Sequence, residues 1–309
     1  MRTIVTALVL SVVATGLAGS VPASGAATGA APAAAIDCAV SMASVGDDGH
    51  YRSIGVSVST TRPPTVTDFG AVSGLTSIRS LSTGSFDADT MIPEDWFQES
   101  THLGTGTNVV FQLTARADND GRRATAENLA SRWSGFRRTV MASSLLPTRY
   151  LYALHDNGSL YRYVITSGTA GRPVLTGAGR VAGFGTVRDM TLIGRTPQYD
   201  ALLANTTTGR LILIKIPTTA TMTATTTTIR SRTWQAFDHL ALGNCATPSG
   251  GTVTTLIGVN SASGEAYAYR MGFVTNSSTP IQGLGRLAGT WHYPTLASVF
   301  EATSHPRGA

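Results

Sequence analysis

Charged side chains are scarce in this sequence, and cysteine, lysine and aromatic residues are scarce too. Asp, Glu, Lys and Arg make up 13% of the 309 residues, whereas hydrophobic residues reach an ordinary 42%. A chain with so little charge and a normal apolar share is neither a disordered polyelectrolyte nor a long coiled coil. The remainder is rich in Thr, Ser, Gly and Ala, which favours strands joined by tight turns.

The basic residues do not indicate a nucleic-acid partner, although the formal net charge is +5. Lys215 is the only lysine, and the arginines are scattered along the chain without a long run of like charge. Nucleic-acid binding needs a continuous stripe of cations that neutralises successive phosphates. We therefore interpret the basic character as dispersed surface charge and expect no nucleic-acid partner.

The N-terminus has the pattern of a secretory signal peptide. Arg2 supplies a short positive region, residues 4–17 form an apolar segment, and small residues continue to Ala35. The apolar segment is too short for a comfortable membrane span, and no similar segment follows it. We expect residues 1–35 to be a signal peptide and flexible leader, and the mature protein to be secreted and extracellular, with no membrane span.

The expected secretion bears on the redox state of the two cysteines. Cys38 opens the mature region and Cys245 lies far downstream, and a pair of cysteines in an oxidising compartment tends to be bridged. We predict a disulfide between them. The histidines are never paired at metal-ligand spacing, so the prediction includes no metal and no cofactor.

A long repeat organises the mature region. Its first motif is a β-hairpin with a glycine in the turn, as in Asp156-Asn157-Gly158 between two alternating strands. The turn glycines are spaced 51 to 57 residues apart: Gly49, Gly106, Gly158, Gly209 and Gly264. Its second motif is an aromatic segment that precedes a short apolar strand. The anchors of these segments are 50 to 61 residues apart: Leu75, Phe136, Val187, Phe237 and Tyr293.

Repeats of this length without helical periodicity are typical of the blades of a β-propeller. The chain opens with a hairpin that lacks its aromatic segment (38–58) and ends with an aromatic segment that lacks its hairpin (289–300). Because each half completes the other, we predict circular closure by the N-terminal strands. The predicted fold is all-β: a five-bladed β-propeller with four-stranded blades over residues 36–300, followed by a C-terminal tail over 301–309.

The alternation of the two motifs resembles the tachylectin-type five-bladed propeller. The hairpin over residues 156–163 and the segments over 133–136 and 234–237 carry this resemblance, which covers residues 36–300. The resemblance implies a lectin that binds N-acetylated amino sugars without catalysis or metal, at equivalent sites around the ring. The tryptophan is displaced by one position at Trp291 and absent at Phe184 and in residues 72–75, so we expect two or three intact sites.

Sugar binding needs an aromatic face for the apolar side of the pyranose ring and nearby polar groups for its hydroxyls. We predict that these are supplied by Trp133, Phe136, Asp156, Asn157, Trp234, Asp238, Trp291 and His292. The alternative is structural, because an aromatic residue in each repeat can pack adjacent blades and Asp-Asn-Gly is ordinary turn chemistry. The expected partners are glycans of a cell surface or cell wall.

Two other functions remain open. A propeller without working sugar sites could serve as a protein-interaction or delivery subunit of an extracellular assembly. A propeller glycoside hydrolase needs two carboxylates at close range, for which Asp189 and Asp238 are the candidates. Nearly equivalent blades benefit a multivalent binder more than an enzyme, so we expect no catalytic residues and no enzymatic activity.

Overall fold

A computed structural model of the protein describes residues 38–58, 62–74, 77–87, 98–118, 120–143, 147–169, 172–246, 252–274 and 277–298. The predicted signal peptide and leader (1–35) and the predicted tail (301–309) lie outside these residues. The described residues belong to one compact unit, which spans 36–309. They form β-strands joined by turns and loops, with a single-turn 3-10 helix at Trp234–Ala236.

The chain enters the ring through three antiparallel strands that belong to its last blade. These strands are β1 (Cys38–Val45), β2 (His50–Ser57) and β3 (Thr65–Ala71). Blade 1 follows with β4 (Ser80–Asp87), β5 (Gln98–Thr105), β6 (Val109–Asp118) and β7 (Gly121–Ser131). Blade 2 contains β8 (Phe136–Ala142), β9 (Arg149–His155), β10 (Leu160–Ser167) and β11 (Pro173–Val181).

The next eight strands form two further blades in the same way. Blade 3 contains β12 (Val187–Arg195), β13 (Tyr199–Thr206), β14 (Leu211–Pro217) and β15 (Thr225–Arg230). Blade 4 contains β16 (His239–Ala246), β17 (Thr252–Asn260), β18 (Glu265–Met271) and β19 (Ile281–Arg286). In each of these blades the first strand in the chain is innermost and the fourth lies at the outer edge.

Blade 5 is assembled from both ends of the described chain. The last strand, β20 (Ala297–Ser298), pairs with β1 at Met42 and Ala43, and β2 and β3 complete the sheet. The first residues of β1 also pair with the end of β16 in blade 4, so one continuous sheet runs through blades 4 and 5. The predicted circular closure by the N-terminal strands is confirmed.

The innermost strands close the ring. β4, β8, β12, β16 and β20 contact one another in that order, and β20 contacts β4. Each blade presents four antiparallel strands, as expected for a propeller, which leaves only short and protected sheet edges. The prediction of an all-β, five-bladed propeller with four-stranded blades is confirmed.

Strand alternation explains why apolar side chains stand at consecutive positions of a middle strand, as at residues 201–204 of β13. Successive side chains point to opposite faces of a strand, and both faces of a blade pack against neighbouring blades. In β13, Leu202 belongs to the cluster shared with blade 2, whereas Leu203 belongs to the cluster shared with blade 4. The hydrophobic core of the protein therefore lies between the blades, where both faces of each sheet are buried.

Polar side chains also join neighbouring blades. Between blades 2 and 3, Arg195 and Asp200 form a fully buried ion pair of 3.1 Å, and the Tyr152 hydroxyl donates to the Asp200 carboxylate at 2.7 Å. Between blades 5 and 1, the Tyr51 hydroxyl lies 2.8 Å from Nε2 of His102, and Oγ1 of Thr83 lies 3.3 Å from Nδ1. Burial lowers the pKa of His102 to about 3.

The buried His102 predicts a loss of stability in mild acid. Its pKa is about 3 in the folded protein, against about 6.5 in an unfolded chain. Below pH 6.5 the unfolded state therefore binds a proton that the folded state does not bind. The free energy of unfolding then falls by about 1.4 kcal/mol for each pH unit of acidification. We expect the free energy of unfolding to fall by about 3 kcal/mol from this group between pH 7.5 and 4.5.

Urea unfolding at several pH values tests this expectation. The variant His102→Gln cannot take up the proton. Between pH 6.5 and 4.5, its free energy of unfolding should therefore change less steeply with pH than that of the wild type, by the amount that corresponds to one proton. Identical slopes for the two proteins would show that His102 is not the group responsible.

Candidate functional site

The two sequence motifs meet in space at five places around the ring. At each place, the segment leading into the innermost strand of one blade donates a backbone N–H to a carbonyl in the hairpin turn of the preceding blade. We call each contact a junction and number it by its two blades. The N–H to carbonyl pairs are Val72 to Gly49 (5/1), Trp133 to Asn108 (1/2), Phe184 to Gly158 (2/3), Trp234 to Gly209 (3/4) and Trp291 to Gly264 (4/5), at 2.8 to 3.4 Å.

All five junctions lie at one end of the ring. The hairpin turns join the second and third strands of each blade, and the entering segments precede the first strand. Because neighbouring strands are antiparallel, these turns and segments fall at the same end. We call this end the motif face. The sequence motifs therefore define a single surface, a relation that their spacing alone did not predict.

Close backbone approach explains the turn glycine at junction 2/3. Gly158 has a φ of 79°, in the left-handed region that favours glycine. A Cβ at this position would also lie 2.9 Å from the Cα of Gly185 in the entering segment. A larger residue at position 158 would therefore strain the turn and push the two blades apart.

The first two predicted tryptophans are buried among aromatic neighbours. Trp133 is 6% exposed, and its ring centroid lies 4.6 Å from Tyr163 and 4.7 Å from Phe136. Burial raises the pKa of Tyr163 to about 12. Trp234 is 5% exposed and packs in the same way against Phe237 and Tyr269. Blades 2 and 4 thus carry matching aromatic clusters next to their entering segments.

Trp291 is fully buried and lies in the same junction register as the other two tryptophans. Its indole N–H donates to the carbonyl oxygen of Ala288 at 3.1 Å, and its backbone N–H makes the junction hydrogen bond to Gly264. Phe184 and Val72 take the equivalent positions at junctions 2/3 and 5/1. The displacement of Trp291 expected from the sequence reflects a spacing to Tyr293 that is one residue shorter than the spacing from Trp133 to Phe136, not a different place in the junction.

The predicted polar residues lie on the surface of the motif face. Asp156 and Asn157 form the blade 2 turn, where Oδ1 of Asn157 accepts the N–H of Ser159 at 2.9 Å. The Asp156 carboxylate is 52% exposed and lies 3.9 Å from Arg79 and 3.8 Å from Arg137. These ion-pair distances exceed hydrogen-bonding range, so the carboxylate keeps acceptor capacity toward solvent.

Asp238 and His292 flank the blade 4 turn. Oδ1 of Asp238 accepts the N–H of Ser261 at 2.9 Å, and Nδ1 of His292 donates to the Ser261 carbonyl oxygen at 2.6 Å. His292 is exposed and Asp238 is partly buried. The predicted residues are therefore distributed over four successive junctions and are not gathered into a single site.

A cavity that the sequence motifs did not reveal lies at junction 5/1. It has a volume of about 240 Å³ and is bordered by Val45, Asp47, Val72, Ile78, Pro294 and Thr295. At the other four junctions the position of Val72 is taken by Trp or Phe. The signal in the sequence was this missing aromatic residue. At the other four junctions an aromatic side chain occupies the space that is left open at junction 5/1.

The predicted disulfide positions face each other in the backbone. Cys38 at the start of β1 and Cys245 near the end of β16 are directly opposed in an antiparallel pair. This pairing joins blades 4 and 5. The disulfide itself stays a prediction.

Comparisons with known proteins do not assign a family. A scan against protein-family models gives no match for this chain, and no curated protein matches its sequence. The described residues contain no group of three or more His, Cys, Asp or Glu side chains that could hold a metal ion. Within the same segments, no helix is long and apolar enough to cross a membrane.

Proposed function

We propose that this propeller is a secreted, non-catalytic lectin of the tachylectin type that binds N-acetylated amino sugars on its motif face. The observation that carries the proposal is the recurrence of one junction geometry at five places on the same face. Such repetition suits a surface that engages a repeated ligand through several weak contacts, because linked contacts raise the overall avidity. The glycans of a cell surface or cell wall are ligands of this kind.

The cavity at junction 5/1 has the chemistry of a sugar site. Ile78 offers a partly exposed apolar side chain beside the buried Val45 and Val72, and the exposed Asp47 offers a carboxylate at the edge of the cavity. Carbohydrate sites combine an apolar surface for the C–H side of a pyranose with a few polar groups for its hydroxyls. Its volume of about 240 Å³ equals that of about eight liquid water molecules, which is the scale of one sugar ring.

The buried tryptophans take a different part in this proposal. Rings that are about 5% exposed cannot stack on a sugar, so Trp133 and Trp234 support the junctions from within. The groups left to contact a ligand are the exposed polar side chains, such as Asp47, Asp156 and His292. Replacing a tryptophan would therefore test packing more than recognition.

The surroundings of Asp189 favour binding without catalysis. This carboxylate is 4% exposed, lies 2.9 Å from Arg138 Nε, and accepts the backbone N–H of Leu240 at 2.6 Å. A general acid in a glycosidase needs a raised pKa and free access to the glycosidic oxygen. Asp189 has an arginine beside it and a structural hydrogen bond, which suit a carboxylate that joins blades.

Calorimetry with N-acetylglucosamine and N-acetylgalactosamine tests the proposal. We expect millimolar or tighter binding with at least one site per chain. Asp47→Asn should lose about 10- to 100-fold in affinity, since a charged hydrogen bond contributes about 1.5 to 3 kcal/mol. Asp120→Asn is the matched control, because Asp120 is exposed on the β6–β7 turn at the opposite end of the ring.

No heat from either sugar at millimolar concentration would overturn the sugar proposal and favour a protein-interaction subunit. Equal losses in the two variants would remove junction 5/1 from the site. Circular dichroism and thermal melting of both variants establish that each one is folded.

A further inference from the structure

The centre of the ring contains a polar cavity that the proposed lectin function does not use. It has a volume of about 40 Å³ and lies among the innermost strands. The innermost strands of blades 2, 3 and 4 place polar side chains around it near the motif face: Arg138 on β8, Asp189 on β12 and His239 on β16. Arg79, just before β4, also borders it.

His239 has one ring nitrogen without a partner. The side chain is 3% exposed, and its Nδ1 has no hydrogen-bond partner among the residues that the structure describes. The backbone of Tyr293 hydrogen-bonds the ring, which leaves Nδ1 as the atom that can gain a proton. A buried nitrogen without a partner is unfavourable, and His239 borders the cavity, so a donor or acceptor bound there would supply the missing partner.

Arg138 has an unmet donor beside the same cavity. Its Nη1 and Nη2 donate to the carbonyl oxygens of Arg137 and Asp238 at 2.9 and 3.3 Å. Its Nε lies 2.9 Å from Oδ1 of Asp189 but lacks hydrogen-bonding geometry there. Arg79 is 42% exposed and only distantly paired, at 3.9 Å from Asp156.

The charges around the cavity favour an anion. Of the side chains that border the cavity, Arg79 and Arg138 are positively charged, and Asp189 carries a negative charge that is partly offset by the N–H of Leu240. The carboxylate of Asp156, 3.9 Å from Arg79, does not border the cavity. A cation would meet the guanidinium of Arg138, whereas an anion would supply acceptors to Arg79 and Arg138. An anion would also stabilise the protonated form of His239, whose Nδ1–H could then donate to it.

We propose that the motif-face end of this axial cavity binds a small oxyanion, either free in solution or carried on a sugar as a sulfate or phosphate group. Arg79 and Arg138 supply donors to its oxygens. On binding, Nδ1 of His239 takes a proton from solvent and donates it to a further oxygen as a hydrogen bond. The site does not depend on the lectin proposal, because Arg79, Arg138 and His239 lie outside the cavity at junction 5/1, and the two cavities share only Thr295.

Proton uptake makes this binding dependent on pH. Burial lowers the pKa of His239, the Arg138 charge lowers it further, and Asp189, Asp238 and the Tyr293 carbonyl oppose these effects. A bound oxyanion also opposes them, so by linkage acid conditions must strengthen its binding. The increase in affinity can reach tenfold per pH unit when one proton is taken up.

A sulfate titration followed by NMR of the histidine Cε1–H resonances tests the proposal, with sodium chloride at matched ionic strength as the reference. Sulfate keeps the same charge across the range from pH 5.5 to 7.5, so the protein alone causes any pH dependence. We expect one site per chain, a higher pKa of His239 in sulfate, and tighter binding at pH 5.5 than at pH 7.5. The variant His239→Gln should lose this pH dependence and identifies the resonance.

Two arginine variants distinguish a local site from general charge. Arg79→Ala should weaken sulfate binding by about fivefold, the loss expected for a partly exposed ion pair. Arg122→Ala removes the same charge from an exposed position at the opposite end of the ring and should leave binding unchanged. Equal effects of the two variants, unchanged pH dependence in His239→Gln, or no binding at pH 5.5 would overturn the proposal.

Two further ligands identify the source of the anion. If N-acetylglucosamine 6-sulfate binds more tightly than both free sulfate and N-acetylglucosamine, and only while His239 is present, the natural ligand is a sulfated sugar. Equal binding of free sulfate would assign a free anion, whereas binding of glycerol with the affinity of sulfate would contradict an oxyanion site. His239→Gln should leave N-acetylglucosamine binding unchanged and Asp47→Asn should leave sulfate binding unchanged, so the two proposals can fail separately.

Discussion

Replacing both Cys38 and Cys245 by serine is expected to lower the free energy of unfolding by about 5 kcal/mol under oxidising conditions. The two residues are 207 positions apart in the sequence yet directly opposed in the backbone pairing of β1 with β16. Directly opposed residues of an antiparallel pair have Cα separations that a disulfide can span. A bridge that closes so long a loop removes much of the entropy of the unfolded chain.

Thiol titration of the denatured protein, without reductant, is the direct measurement. We expect no free thiol in protein produced under oxidising conditions and two after reduction. Urea unfolding should show that dithiothreitol destabilises the wild type and leaves the double variant unaffected, which serves as the internal control. Two free thiols in the unreduced protein would contradict the predicted disulfide and remove the basis for the stability difference.

Asp200→Asn is expected to destabilise the protein by about 3 to 5 kcal/mol, because it leaves the buried guanidinium of Arg195 without its counter-ion. Both side chains are fully buried, and Tyr152 donates to the same carboxylate. The loss should therefore appear as a lower urea midpoint, with an unchanged dependence of the unfolding free energy on urea concentration. Glu127→Gln is the matched control, because Glu127 pairs with Arg172 at 2.7 Å with both side chains about half exposed; it should change stability by less than about 1 kcal/mol.

The double variant Arg195→Met/Asp200→Leu separates pairing from burial. Burial raises the pKa of Asp200, which shows that solvation lost by the carboxylate is not fully returned by its partners. Removing both charges should therefore recover most of the loss seen in Asp200→Asn. Recovery should be incomplete, because Arg195 also donates to the carbonyl oxygens of Ala142 and Thr148. A double variant less stable than Asp200→Asn would show that the charged pair itself stabilises the fold.

The fold could be predicted from the sequence because the residues that make the same contact in each blade recur at a regular spacing along the chain. Gly158 and Gly209 mark hairpin turns, and Trp133 and Trp234 mark segments that enter the next blades. Each turn touches the following segment, so both motifs keep the period of a blade. The closure of blade 5 could also be predicted, because the hairpin that contains β1 and the aromatic segment before β20 together make up one repeat.

The candidate site was less predictable because residue type does not reveal exposure. A tryptophan that packs two blades and one that stacks on a sugar look alike in a sequence, and Trp291 is fully buried. The cavity at junction 5/1 arises where Val72 stands in place of an aromatic residue. A search for motifs does not find such a position, because the motif is missing there. Arg138, Asp189 and His239 converge only because equivalent strands of three successive blades meet at the axis.

Assembly of blade 5 from the two ends of the chain also has a consequence for the order of folding. Strand β1 is synthesised first, but its inner partner β20 and its neighbour β16 come from the last part of the ring. Until they arrive, one edge of β1 has unpaired backbone groups, which can pair wrongly with another chain. Contacts between residues so distant in sequence also slow folding. The ring therefore closes only after β20 has been synthesised, and the chain before that point is the species most prone to aggregate.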